Sequence, residues 1–243
     1  MQIIYDANNW LRRRFEVGCS VQTCYAEVRA NPGTIVFDGA HALKRRRNLY
    51  PGYKLRRQLP TTSIFEHFKM FEEACQWLDV ALVRVPEWEA DDVIATLVRS
   101  ANDDIHIKST DVDFLQLPNV KLDREKPAPE EPKFLRTYKA VVGDPSDNIP
   151  GFKSFGKGGW AKLTADDKEQ RESFLKEETQ YLPDNLPTAT KNWLEEPENK
   201  TLVRTFYDIV GLYDVPMDDI IANTKIGVSA PEKFQEQIKR FIL

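Results

Sequence analysis

The chain has 243 residues, of which 41% are hydrophobic and 30% are charged, and its formal net charge is −4. This composition is typical of a globular protein with one large domain or two smaller ones, and the net charge excludes a global basic signature of nucleic-acid binding. Three cysteines and three histidines match no structural zinc pattern. No signal peptide opens the chain and no apolar run reaches membrane-span length, so we expect a cytoplasmic protein without membrane contacts.

The first 40 residues predict alternating strands and helices. Residues 3–5 have the pattern of a short buried strand, and a helix is predicted to begin near Trp10. A second helix is predicted over residues 22–30 and a second strand over residues 34–37. Because no hairpin turn separates these elements, their order predicts a parallel α/β sheet.

A basic segment follows over residues 40–57, with seven lysines and arginines and no acidic residue. Pro51 and Gly52 argue against a continuous helix there, so we expect a surface loop or a broken helix. A local basic patch can steer a polyanion even when the net charge is negative. The alternative interpretation of this segment is an ordinary solvated surface loop.

Further strands and helices complete the predicted core. From residue 63 a helix is predicted to run to about residue 82, on an apolar stripe of Ile64, Phe68, Phe71, Cys75, Leu78 and Leu82. Strands are predicted over residues 81–86 and 105–110, with an edge strand over 120–122. Between them a helix begins at residues 89–92, which hold three carboxylates in four positions. Acidic residues are common in a helix's first turn, so an ordinary helix start is the alternative to a metal site.

Residues 126–133 contain three prolines and two glutamates, and they predict a linker between two lobes. We therefore expect a core over residues 1–126 and a mainly helical lobe over residues 127–243. The second lobe is predicted to open with an apolar helix over residues 134–142 and to continue with a helix from about Trp160. An amphipathic helix over residues 199–213 is expected to pack back on the body.

Acidic residues recur where the predicted strands end. In an open parallel sheet, ligands bind outside the carboxyl ends of the strands, so these acids are expected to converge on one edge. A single strand-end aspartate is usually a turn or cap residue, but a group of like charges needs a cation to be tolerated. Oxygen ligands favour two Mg²⁺ or Mn²⁺ ions, an arrangement suited to displacement at phosphorus. The candidate ligands are Asp6, Asp38, Glu89, Asp91, Asp92, Asp111 and Asp113, with Asp144 and Asp147 from the second lobe.

Six motifs in order resemble those of the 5′-nuclease superfamily, the flap endonucleases and 5′–3′ exonucleases. They lie at residues 6–9, 37–39, 53–57, 89–95, 109–113 and 143–151. The chain looks most like stand-alone bacteriophage enzymes and the 5′-nuclease domain of bacterial DNA polymerase I. The resemblance covers residues 3 to about 163 and is limited beyond that to residues 199–216.

The resemblance implies a fold and a set of functional residues. It implies a mostly parallel sheet flanked by helices (a PIN-like core), with a basic arch at about residues 41–60 and a helix–three-turn–helix element at about residues 144–163. Lys54 and Arg57 would act on the scissile phosphate at the base of the arch. The first ion would be served by Asp38, Glu89, Asp91, Asp92 and Asp111, with Asp6 nearby. The second ion would be served by Asp111, Asp113, Asp144 and Asp147, and K⁺ is a further candidate in the helix–three-turn–helix element. Expected DNA contacts are Arg45, Arg46, Tyr53, Lys139, Lys153 and Lys157.

The predicted function is that of a metal-dependent structure-specific 5′ nuclease. It would hydrolyse DNA phosphodiesters at a junction of a 5′ single strand and duplex, with RNA–DNA as a further candidate substrate. No polymerase domain follows, so we expect a monomeric, stand-alone protein of phage DNA replication, acting in the host cytoplasm. One alternative is a non-catalytic DNA-junction-binding protein with the same fold. Another is a toxin-type ribonuclease with the same sheet, although those proteins are shorter and lack the second lobe.

Overall fold

The computed structural model describes residues 1–56 and 62–234. Within these residues, six strands form one sheet: β1 (Gln2–Asp6), β2 (Thr34–Val36), β3 (Ala81–Val83), β4 (Ile105–Lys108), β5 (Val120–Leu122) and β6 (Thr224–Ile226). Their order is β5-β4-β1-β2-β3-β6, and only the β3–β6 pair is antiparallel. The predicted α/β fold with a mostly parallel sheet is therefore confirmed.

Eleven α-helices lie within the described residues. They are α1 (Ala7–Glu16), α2 (Val21–Ala30), α3 (Lys44–Leu49), α4 (Thr62–Cys75), α5 (Ala90–Ser100), α6 (Leu135–Val142), α7 (Lys157–Trp160), α8 (Ala165–Leu175), α9 (Thr188–Glu195), α10 (Pro197–Ile209) and α11 (Met217–Ala222). Short 3₁₀ turns cover Val112–Gln116 and Pro132–Phe134. None of these helices combines the length and the apolar character needed to span a bilayer.

The chain divides into two compact units. Taking the described residues in each range, the first unit comprises Met1–Ala42, Leu59–Lys126 and Tyr213–Leu243, and the second comprises Leu43–Gln58 and Pro127–Leu212. The sequence had assigned the basic segment to the core and residues 213–243 to the second lobe. In the observed division, residues 43–56 lie with the second unit and residues 213–234 lie with the first.

The core of the first unit lies around β1 and three helices. Tyr5, Leu11 and Phe71 are fully buried there, and Trp10 packs edge-on against Tyr5. Helix α4 contacts both α1 and α2 over this core. Burying each large apolar side chain contributes about 1.5–3 kcal/mol to the stability of the fold, and this packing keeps the end of β1 in place.

The second unit has a separate core built mainly on α6, α8 and α10. Phe174, Leu194 and Phe206 are fully buried in it. Tyr53, from the basic segment, joins the same core with 2% of its surface exposed. The basic segment is therefore tied to this unit by apolar packing, and the part that follows Leu43 forms the short helix α3.

Several predicted boundaries need correction. The helix predicted to reach residue 82 ends at Cys75, and the amide of Leu78 closes a turn on the Cys75 carbonyl. Leu82 lies instead in β3, where pairing with both β2 and β6 satisfies its backbone. The helix predicted from Trp160 is also wrong, because α7 ends at that residue. Strand β6 was not predicted at all.

Candidate metal centre

The ends of β1, β2 and β4 lie side by side in the sheet. Asp6 is level with Val36 at the end of β2, and Tyr5 is level with Lys108 at the end of β4. Parallel strands end at the same edge, so the residues after each end meet there. This register brings Asp6 close to the loops that carry Asp38 and Asp111.

Asp6 is the most deeply buried of the three, with 3% of its surface exposed. Its Oδ1 atom caps α1 by accepting the amide of Asn9 at 3.3 Å, and its Oδ2 atom accepts the Ser109 hydroxyl at 2.8 Å. The pKa of Asp6 is raised from 3.8 to about 7, chiefly by burial and also by the charges of Asp111 and Asp38, while the two hydrogen bonds act to lower it. The three carboxylates therefore share one electrostatic environment.

Asp38 is held by donors from two helices. Its Oδ2 atom accepts a hydrogen bond from Nδ2 of Asn8 in α1 at 2.8 Å, and its Oδ1 atom accepts one from the backbone amide of Ala90 in α5 at 2.9 Å. The amides at the first turn of a helix carry partial positive charge. Both oxygens of the Asp38 carboxylate are therefore held by hydrogen-bond donors, one of them at the start of α5.

Asp111 and Asp113 lie on the turn after β4. The Asp111 amide donates to the Ser109 hydroxyl at 3.0 Å, and the Asp111 Oδ1 atom accepts the Asp113 amide at 3.0 Å. Ser109 thus links Asp111 to Asp6 through one hydroxyl. Asp113 is half-buried in the 3₁₀ turn that Asp111 caps.

The acidic residues at the start of α5 differ in burial. Glu89, the N-cap residue, and Asp92 are buried, whereas Asp91 is half-buried. The Asp92 Oδ1 atom accepts the backbone amide of Tyr213 at 2.9 Å. One oxygen of Asp92 therefore anchors the chain where it returns to the first unit.

Within the described residues, no group of three or more Asp, Glu, His or Cys side chains is arranged to hold an ion. Asp6, Asp38 and Asp111 nevertheless lie close enough for each neighbour to raise the pKa of Asp6. An all-carboxylate set of this kind fits Mg²⁺ or Mn²⁺, which prefer oxygen ligands and keep several waters. The assignment of the remaining acids to an ion stays a prediction.

In the second unit, Lys54 lies beside Asp147. Its ammonium is 3.8 Å from the Asp147 carboxylate, and its amide donates to the Asp147 carbonyl at 3.0 Å. Lys54 has a positive φ of 50°, uncommon for a residue with a side chain. With the ring of Tyr53 4.9 Å below the ammonium, this side chain is held in one place.

A second lysine–aspartate pair involves Lys139 and Asp144, separated by 2.8 Å and both largely buried. Burial alone would raise the pKa of Asp144, but the charge and hydrogen bond of Lys139, with hydrogen bonds from Ser146, hold it below its usual value. Lys139 was predicted to contact phosphate and Asp144 to bind an ion. Each would have to release the other to do so.

The predicted DNA contacts differ in exposure. Arg45, Lys153 and Lys157 are exposed. Arg46 is 4% exposed, and it donates to the carbonyls of Ile209 at 2.9 Å and Gly211 at 2.8 Å. Since Arg46 and the buried Tyr53 are engaged inside the unit, we do not carry them forward as DNA contacts. The predicted role of Arg57 falls outside the described residues.

Two residues next to the predicted ligands were missed. Asn8 binds Asp38, and the Asn9 Oδ1 atom accepts both the amide and the hydroxyl of Thr110 at 3.2 Å. Both asparagines belong to the motif at residues 6–9, yet the sequence predicted no role for them. Their position directly after a strand-end aspartate was the available signal.

Comparison with known proteins identifies relatives of the chain. Residues 14–139 match the family model described as 5′-3′ exonuclease, N-terminal resolvase-like domain. Thermostable DNA polymerase I of Thermus thermophilus is 33% identical over 181 residues, which cover 67% of this chain and 21% of that protein. The chain thus spans about a fifth of the length of this curated relative.

Solved structures show the same fold over nearly the whole chain. A bacteriophage T5 protein co-crystallised with metal ions is 19% identical, with a TM-score of 0.68 and coverage of 99% of this chain and 98% of that one. A bacteriophage T5 flap endonuclease variant in complex with DNA and metal ions is 18% identical, with a TM-score of 0.61 and 98% coverage of both chains.

Proposed function

The chain belongs to the 5′–3′ exonuclease family, and from this membership and the carboxylate cluster we propose that it is a metal-dependent, structure-specific 5′ nuclease. Its substrate would be DNA carrying a 5′ single strand next to duplex, including junctions with RNA in the 5′ strand. A role in phage DNA replication and a monomeric state remain part of this proposal. They rest on the sequence resemblance.

The observation that carries the proposal is the burial of Asp6 beside Asp38 and Asp111. Gathering carboxylates in a buried place is costly unless a cation compensates them. A protein that only held DNA would gain nothing from negative charge beside the phosphates. A pair of divalent ions would offset this energetic cost and would explain why the carboxylates lie together.

Each group has a proposed task. Asp6, Asp38 and Asp111 would hold Mg²⁺ or Mn²⁺, which when bound supplies positive charge to the scissile phosphate. The hydrogen bonds from Ser109, Asn9, Asn8 and the Ala90 amide keep these carboxylates oriented. Lys54 would position the phosphate after exchanging its contact with Asp147, and Arg57 keeps the same predicted role. The predicted second ion would add Asp113, Asp144 and Asp147, with K⁺ a further candidate cofactor.

Product sizing on a 5′-labelled DNA flap, with Mg²⁺ or with chelator, tests the function. We expect cleavage only with the ion, and product lengths that report polarity and cut position. Asp111→Asn should lower the rate by about 10³-fold or more while leaving junction binding intact. Full activity of this variant under Mg²⁺ would remove the metal hypothesis. Binding without cleavage by the wild-type protein would favour the non-catalytic alternative.

A further inference from the structure

Two adjacent asparagines in the first turn of α1 contact the loops that follow the two strands beside β1. Successive helical side chains point about 100° apart. Asn8 accordingly contacts Asp38 after β2, whereas Asn9 contacts Thr110 after β4. Since β2 and β4 flank β1 in the sheet, the side chains of this turn hold the loops on both sides of Asp6 by hydrogen bonds.

The Asn8–Asp38 contact is reciprocal. Asn8 Nδ2 donates to the Asp38 carboxylate at 2.8 Å, and the Asp38 amide donates back to Asn8 Oδ1 at 3.4 Å. The two contacts need opposite ends of the side-chain amide, so they fix which way it points. With Ala90 holding the other carboxylate oxygen, the Asp38 side chain is oriented from two elements.

We propose that Asn8 is a positioning residue of the metal centre, acting by holding the Asp38 carboxylate in the orientation that binds a divalent ion. This inference rests on the proposed function. Asn8 and the Ala90 amide are neutral donors, so these two contacts orient the carboxylate without cancelling its charge. Asp144 in the second unit differs in this respect, because the ammonium of Lys139 lies 2.8 Å from its carboxylate and opposes the negative charge.

Residues that orient metal ligands through hydrogen bonds affect ion affinity more than they affect folding, and their loss typically costs about 10–100-fold in affinity. Asn8 is half-buried and its amide makes no contribution to the apolar core. Removing it should therefore leave the fold intact and release Asp38. The loss should be visible in ion binding without any DNA.

The test compares Asn8→Ala with Asn31→Ala. The second variant removes an exposed asparagine whose side-chain amide donates a hydrogen bond to the Glu27 carbonyl at the end of α2. Mn²⁺ binding is measured by calorimetry without DNA, and unfolding is measured in chelator. Asn8→Ala should bind Mn²⁺ about tenfold more weakly than wild type. Asn31→Ala should match wild type, and both variants should unfold near the wild-type midpoint.

Cleavage kinetics give a second readout. Asn8→Ala should need more Mg²⁺ for half-maximal cleavage and recover most of its kcat at high Mg²⁺, with KM for DNA unchanged. Wild-type Mn²⁺ affinity in Asn8→Ala would overturn this inference while leaving the nuclease proposal standing. Absence of Mn²⁺ binding and cleavage in the wild-type protein would overturn the proposed function itself. If Asn8→Ala does not fold, Asn8→Ser is judged by the same Mn²⁺ criterion.

Discussion

Replacing the Asp6 carboxylate with the amide of asparagine should stabilise the ion-free protein at alkaline pH while abolishing cleavage. Asn has nearly the same shape, is a good helix N-cap, and can still accept one of the two hydrogen bonds from Ser109 and Asn9. What it removes is a buried negative charge beside Asp38 and Asp111. Stability and activity should therefore change in opposite directions.

The pKa of Asp6 gives the magnitude. It is raised from 3.8 to about 7, chiefly by burial with a contribution from the neighbouring charges, and each pKa unit corresponds to about 1.4 kcal/mol, so the charged form costs the fold about 4 kcal/mol. The folded protein holds this proton more tightly than the unfolded chain, so stability is present below about pH 4 and is lost as pH rises through about 7. One lost hydrogen bond offsets about 1 kcal/mol, leaving a net gain of about 3 kcal/mol for Asp6→Asn at pH 8.

Urea unfolding in chelator at pH 5 and pH 8 measures this effect. The advantage of Asp6→Asn should be largest at pH 8 and should shrink towards pH 5. Adding Mg²⁺ should narrow it, because an ion that binds only the wild-type fold stabilises only that fold. Asp103→Asn, at an exposed turn, is the matched control and should change little. An Asp6→Asn protein no more stable than wild type at pH 8 would refute the reasoning.

Two further predictions concern residues that hold the framework. Arg46→Met should lower stability by about 2–4 kcal/mol, because it leaves the Ile209 and Gly211 carbonyls without their donor. Arg45→Met, at the exposed neighbouring position, should fall within about 0.5 kcal/mol of wild type, and equal losses in urea unfolding would contradict this assignment. Gly39→Ala would place a Cβ atom 1.8 Å from the Val85 carbonyl, so it should cost at least about 2 kcal/mol and weaken cleavage by displacing Asp38. Gly158→Ala, which meets nothing within 4 Å, should be tolerated, and a Gly39→Ala protein as stable as Gly158→Ala would exclude this steric explanation.

The sequence predicted the parts of the protein that local pattern determines. The β1 to β5 strands were recognised from short apolar runs, and the strand-end positions of Asp6, Asp38 and Asp111 followed from the order of elements. The parallel register that brings these acids together is a general property of such sheets. The structure places Asp38 and Asp111 near Asp6, whereas the role of these three residues as metal ligands stays a prediction.

What the sequence did not predict depends on partners far along the chain. Arg46 resembles its exposed neighbours in sequence, but its acceptors lie 163 and 165 residues away. The Asp92 contact with Tyr213 spans 121 residues. Strand β6 has three residues and exists through its pairing with β3, so its own pattern is too short to stand out.

The same long-range contacts matter while the protein is being made. Translation delivers the chain from the amino end, at about 5–20 residues per second. The strand that covers the outer edge of β3, and the amide that anchors Asp92, belong to residues emerging from the ribosome only after the whole second unit. A nascent chain halted before Tyr213 would carry the Asp6, Asp38 and Asp111 carboxylates without that closure. We therefore expect Asp92 and the outer edge of β3 to reach their final environments only after the segment from Tyr213 to Ile226 has been synthesised.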